Sequence, residues 1–182
     1  MKNAKGRQAA MAQEVSAYHE AGHAVAAIRT GIGIGRSGVS IARGEHFSGM
    51  DHLLKRFSGN PDKIATGTMR LGAEKHAIAS LAGELAQRKF RQSSVRSYHG
   101  QTDRHNAVKL MSYFVSSDRE LSAYLKWLKI RAEQLVGNDA TWTMIEAVAK
   151  ALIKRDRLSA KEAKEIALGV LESCVTSPHK MI

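Results

Sequence analysis

Residues 13–29 read QEVSAYHEAGHAVAAIR. Val15, Tyr18, Ala21, Val25 and Ile28 recur every three or four residues, which predicts a helix from about Gln13 to Arg29. His19 and His23 stand four apart, so they share a face one turn from each other and can offer ring nitrogens to a single ion. His19-Glu20-Ala21-Gly22-His23 matches H-E-x-x-H, a pattern in which the histidines bind zinc and the glutamate takes a proton from metal-activated water. Ala21, Gly22, Ala24, Ala26 and Ala27 permit close packing around such a site. Gly22 costs about 1 kcal/mol relative to alanine inside a helix, and so predicts close approach of another backbone. Two histidines and a glutamate can also share a solvated face with no chemistry, so a third ligand is required.

Working outward, Gly31, Gly33 and Gly35 end the helix, because repeated glycines favour turns. Val39 and Ile41 alternate with Ser40 and Ala42 as a short strand. Gly44 then makes a turn into a second extended piece at His46 to Met50, giving a small sheet or hairpin beside the first helix. Asn60 caps a helix opened by Pro61, weakened near Gly67 and Gly72. Ile78, Leu81, Ala82 and Leu85 form the stripe of the next helix, to about Lys89, and Ser93 to Gly100 reads as a loop. Asp103 stands at the start of a helix carrying Ala107, Leu110, Met111 and Phe114. Three further helices follow. Their stripes are Leu121, Tyr124, Leu125, Leu128, Ala132 and Leu135, then Trp142, Ile145, Ala149 and Leu152, then Ile166, Ala167 and Val170 behind a Ser159/Glu162 capping box. The expected class is mainly α-helical α+β, with a small sheet or hairpin and a C-terminal helical bundle. Residues 1–12 read as a flexible basic terminus, 13–176 as one domain (117–171 as a semi-independent helical subdomain) and 177–182 as a frayed tail.

The chain has 182 residues and an apolar fraction of 43%, enough for one sizeable core. Its single cysteine, Cys174, excludes an internal disulfide and a thiolate-rich zinc site, and reads as a buried small hydrophobe. Lys2, Lys5 and Arg7 imitate the charged start of a signal peptide, but no apolar run follows. No stretch approaches a membrane span. A cytoplasmic, soluble protein is the default expectation. The net charge of +11 is concentrated in the first half and favours acidic partners. Its lysines and arginines are scattered without a recognition-helix spacing, which argues against a specific nucleic-acid site.

For a third ligand, residues 45 to 85 offer Glu45, Asp51, Asp62, Glu74 and Glu84, and Asp103 is the other candidate. An aspartate in a first helical turn is also an ordinary cap or dipole partner, so the residues themselves leave the choice open. His99 and Tyr98, just before that turn, are candidates to line a cleft. The remaining histidines read as solvent-facing or core-edge groups, and Trp127 and Trp142 as packing residues.

Tyr18-His19-Glu20-Ala21-Gly22-His23-Ala24-Val25 resembles the zinc-site helix in the peptidase domain of FtsH-type ATP-dependent metalloproteases. Leu81-Ala82-Gly83-Glu84-Leu85-Ala86 is similar to that family's Leu-Ala-Gly-Arg-Ala-Ala-Glu helix. Gly100-Gln101-Thr102-Asp103 resembles the turn that opens the helix bearing its third ligand, and Val39 to Gly44 its strand and turn. The likeness covers roughly residues 13–115. It implies a zincin-like fold in which His19, His23 and Asp103 hold Zn2+ and Glu20 is the general base. It departs at Glu84, where the family has a basic residue, and at Gln87, where it has a glutamate.

What the resemblance implies is a zinc-dependent metalloendopeptidase cleaving extended or unfolded polypeptides, some of which pair with the short sheet. No G-x-x-x-x-G-K-[ST] loop occurs, so the expectation is a stand-alone peptidase domain without the ATPase or membrane anchor, working without ATP. Homo-oligomerisation or a separate partner protein remains open. Two other classes compete: an inactive relative serving as a binding or regulatory module, and a zinc hydrolase of a non-peptide substrate.

Overall fold

The computed structural model describes residues 2–42, 67–95 and 100–176, with side chains for 6–42, 67–95 and 100–172. Helix α1 spans Lys2–Thr30 and begins well ahead of Gln13. Residues 6–12 are exposed and carry no apolar stripe. Their Ala, Gln, Met and Arg content supports a helix by propensity alone, which periodicity does not detect. Gly31 closes α1 with φ of 77°, while Ile32 and Gly33 donate back to the Ala27 carbonyl at 3.1 and 3.2 Å.

Strand β1, Val39–Ser40, pairs antiparallel with β2, Arg157–Leu158. The partner expected at 46–50 lies outside the described residues, as do the Asn60–Pro61 cap, Tyr98, His99, the tail from 177 and the Cys174 side chain. Among the described residues the sheet joins distant parts of the chain. Gly38, at φ of 74°, lets the backbone lie directly on Leu158, where a Cβ would overlap the carbonyl oxygen.

Helix α2, Gly67–Phe90, runs without a break through Gly72. A short 3-10 turn at Gln92–Ser94 follows it, within the stretch expected to be loop. Helices α3 (Gln101–Met111), α4 (Asp118–Gly137), α5 (Asp139–Arg155) and α6 (Ala160–Thr176) complete the bundle. The capping box forms as expected: Glu162 N–H donates to Ser159 Oγ at 3.2 Å, and Ser159 N–H to Glu162 Oε2 at 2.8 Å. No helix of the described residues is long and apolar enough to cross a membrane.

Helix α1 is packed between α2 and α5. Its buried face is Ala17, Tyr18, Ala21, Ala24, Val25, Ala26 and Ala27, meeting Ala79, Ala82 and Ala86 of α2 and Met144, Ile145, Val148 and Leu152 of α5. Gly22 sits at the tightest point: a Cβ there would lie 2.6 Å from Ala86 Cβ and 2.7 Å from the Ala82 oxygen. This is the close backbone approach that its cost demanded. A second cluster joins Ala73 and Ala77 of α2, Ala107, Leu110 and Met111 of α3, and Leu128 of α4. Trp142 packs on Tyr18, which stacks on Phe90 at 3.8 Å between ring centroids. Trp127 departs from the packing expectation. It is 45% exposed, because its position falls beside the Leu121–Leu128 stripe rather than on it.

Candidate metal centre

Both histidines project from the middle of α1 toward α2 and the first turn of α3. Gly100, at φ of 68°, begins α3 in a left-handed conformation, and Asp103 follows in its first turn. His23 Nε2 lies 3.1 Å from His19 Nε2, while Asp103 Oδ2 lies 3.2 Å from His19 Nε2 and 3.5 Å from His23 Nε2. Three ligand atoms thus mark a nearly equilateral triangle. Zinc bound at about 2.0–2.1 Å in a tetrahedral site separates its ligands by about 3.3–3.4 Å. The donor set and its spacing fit a divalent cation.

The ring orientations fit it as well. His23 Nδ1 is 2.8 Å from the Ala79 carbonyl, an obligate acceptor, so Nδ1 carries hydrogen and Nε2 faces the triangle. His19 Nδ1 lies 3.2 Å from Gln87 Oε1, with the same consequence. An ion pair between one histidine and one aspartate would need only one such ring. Here two are turned onto the same carboxylate oxygen.

Gly83 makes room for this arrangement, since a Cβ there would overlap Nε2 and Cε1 of His23. Glu84 contributes from behind. Its carboxylate pairs with Arg88 at 2.6 Å and with Arg104 at 3.5 Å, and lies where a side chain on Gly100 would clash. It therefore steadies the turn that carries Asp103, without joining the cluster. Glu74 is excluded as a ligand: it accepts from the Tyr124 hydroxyl at the far end of α2. Glu45, Asp51 and Asp62 lie outside the described residues, as do His46 and His52. His105 is exposed, and His76 is a core-edge group whose pKa burial lowers to about 4; neither joins the cluster.

Glu20 follows His19 on α1, and its Oε2 is shielded from solvent. Burial acts to lower the pKa of His23. The Asp103 charge and hydrogen bond, the Glu20 charge and the Ala79 carbonyl outweigh it, lifting the value from 6.5 to about 9. For Asp103, burial acts upward, but the His23 charge and the hydrogen bonds from both histidines hold its carboxyl well below the usual carboxylate range. Without metal, His23 is therefore protonated at neutral pH. A cation binding at Nε2 must displace that proton, so its affinity rises as pH rises and levels off above about pH 9. One proton released corresponds to about tenfold in affinity per pH unit through neutrality. Chelator-competition titrations at several pH values check this; an affinity flat across neutrality would contradict it.

A groove of about 320 Å3 runs along α1 one turn before His19, between Gln8, Met11, Val15 and Ser16 on one side and Arg91, Ser93 and Ser94 on the other. Sequence reasoning assigned no role to Gly83, Gln87 or Ser94. The resemblance at Leu81–Ala86 spans Gly83 and the departure marked position 87, while nothing in the sequence marked Ser94. No family model matches the chain, and neither the curated proteins nor the solved structures give a significant match.

Proposed function

We propose that the chain is a zinc-dependent metallopeptidase that hydrolyses peptide bonds in extended or unfolded polypeptides, as its resemblance to FtsH-type peptidase domains implies. The reading is carried by one observation, the convergence of His19 Nε2, His23 Nε2 and Asp103 Oδ2 beside Glu20. His19, His23 and Asp103 would hold the zinc, which would supply Lewis acidity to polarise a substrate carbonyl and to make water a nucleophile at neutral pH. Glu20 accepts the proton of the attacking water on its carboxylate and returns it to the leaving amine. Ala79 and Gln87 hold the two imidazoles in the form that leaves each Nε2 directed inward. The groove beside Val15 and Ser94 gives an extended chain room next to the site.

Protein purified without a histidine tag should contain about one zinc per chain. His19→Ala, His23→Ala and Asp103→Ala should each lose most of it. Peptide cleavage should stop on chelation and return with added zinc. Equal zinc content in wild type and all three variants would remove the assignment. A zinc-loaded protein inactive on peptides and unfolded casein, but active on another ester or amide, would favour the non-peptide hydrolase.

A further inference from the structure

Resting on the metal-site reading above, we propose that Gln87 is a positioning residue for His19: its neutral amide, locked by Ser94, dictates which imidazole nitrogen faces the cation. Gln87 lies near the end of α2 and is 3% exposed, an uncommon place for an uncharged polar chain unless its hydrogen bonds are met. Its Nε2 donates to the Ser94 carbonyl at 3.2 Å and to Ser94 Oγ at 3.3 Å. A carbonyl only accepts, so the amide end beside it must be the NH2 group. The opposite end, 3.2 Å from His19 Nδ1, must therefore be the oxygen. That oxygen accepts, so His19 Nδ1 carries the hydrogen and Nε2 is the nitrogen left for coordination. Each orientation follows from the one before it.

The far end of this relay is anchored too. Ser94 Oγ donates to the Arg91 carbonyl at 2.7 Å, and Arg91 N–H donates to the Gln87 carbonyl at 2.8 Å. The turn after α2 is thereby folded back over the side chain it restrains. A leucine would fill comparable space, so packing alone does not account for an amide whose two ends each face a suitable partner.

Charge gives Gln87 a second consequence. A carboxylate behind a ligating histidine raises its basicity. Here both histidines are backed by neutral oxygens, from Gln87 and from the Ala79 backbone. With no carboxylate behind either imidazole, a cation held by these residues would be more electrophilic than one held by carboxylate-backed histidines.

The test uses the full chain with Gln87→Leu and Gln87→Glu. Zinc affinity is read by chelator competition, coordination by the visible spectrum of the cobalt(II) form, and the His19 ring by its slowly exchanging Nδ1–H resonance in metal-free protein. Gln87→Leu should bind zinc about 10- to 100-fold more weakly, shift the cobalt spectrum and lose the resonance. Gln87→Glu restores an acceptor to His19, so it should recover affinity and resonance. If Gln87→Leu fails to fold, Gln87→Met carries the same test, since it fills similar space without an amide, and exchange of the His19 Nδ1–H should quicken. Wild-type affinity together with an unchanged His19 resonance in Gln87→Leu, or unchanged exchange in Gln87→Met, would overturn the proposal. A wild-type chain that binds no zinc would remove the metal reading, while the His19 resonance would still decide whether Gln87 sets that ring.

Discussion

Glu20→Gln is expected to reduce peptide hydrolysis by about 10²- to 10⁴-fold while leaving zinc bound, the range a positioned general base contributes. The carboxamide is nearly the same size as the carboxylate and occupies the same partly buried position on α1. What it loses is the ability to take up a proton. Since Glu20 is not among the three converging ligands, metal content should hold near the wild-type value. Removing the Glu20 charge also removes one influence that raises the His23 pKa. His23 then gives up its proton more readily, and zinc should bind no more weakly than in wild type. The measurement is cleavage of an unfolded carrier beside zinc content on the same preparation. Undiminished cleavage would end the general-base assignment. Loss of zinc along with activity would make Glu20 part of the binding site instead.

Gly83→Ala should empty the site by a different route. A single added carbon there would occupy the space of Nε2 and Cε1 of His23. The ring has little freedom to yield, because it is 2% exposed and tied to the Ala79 carbonyl at 2.8 Å. The helices cannot readily part either, since Gly22 already brings α1 onto Ala82 and Ala86. Either His23 swings out of the triangle or the α1–α2 seam opens. Both outcomes remove a ligand, and the overpacking should destabilise the fold by about 1–3 kcal/mol. Gly72→Ala is the matched control. It lies on the same helix with open space where the Cβ would go, so it should retain zinc and gain up to about 1 kcal/mol. Denaturant unfolding and zinc content of the two variants give the comparison. Wild-type zinc affinity in Gly83→Ala would show that the added carbon is taken up without displacing His23 and that Gly83 is not needed for the site.

The contrast among these residues shows what could be read from the chain alone. His19, Glu20 and His23 were readable because helical spacing converts positions directly into a shared face. Asp103 was not, for nothing in a first-turn aspartate distinguishes a ligand from a cap; the family resemblance singled it out. The start of α1 was hidden because its first residues hold a helix by propensity without burying a stripe. The pairing of Val39 and Ser40 was hidden because Arg157–Leu158 is too short to show alternation. Gln87 stood out in the sequence only as a departure from the family's glutamate. Its meaning depends on a turn folding back over it, a tertiary fact with no local signal.

The placement of the triangle between two helices has a consequence for how the fold is held together. His19 and His23 stand on α1, whose apolar face lies in one cluster, whereas α3, which carries Asp103, packs into a second cluster with α2 and α4. The cluster of charges is thus a further fastener between two hydrophobic bodies that also meet along α2 and α4. In metal-free protein it is closed by the His23–Asp103 ion pair, whose proton belongs to the solvent and whose strength varies with pH. A cation in its place binds the native arrangement and not the unfolded chain, adding about 2.7 kcal/mol when free metal stands at a hundred times its dissociation constant. The same three side chains that would make the chemistry available would then also set the mechanical integrity of the domain, and metal supply would govern both at once.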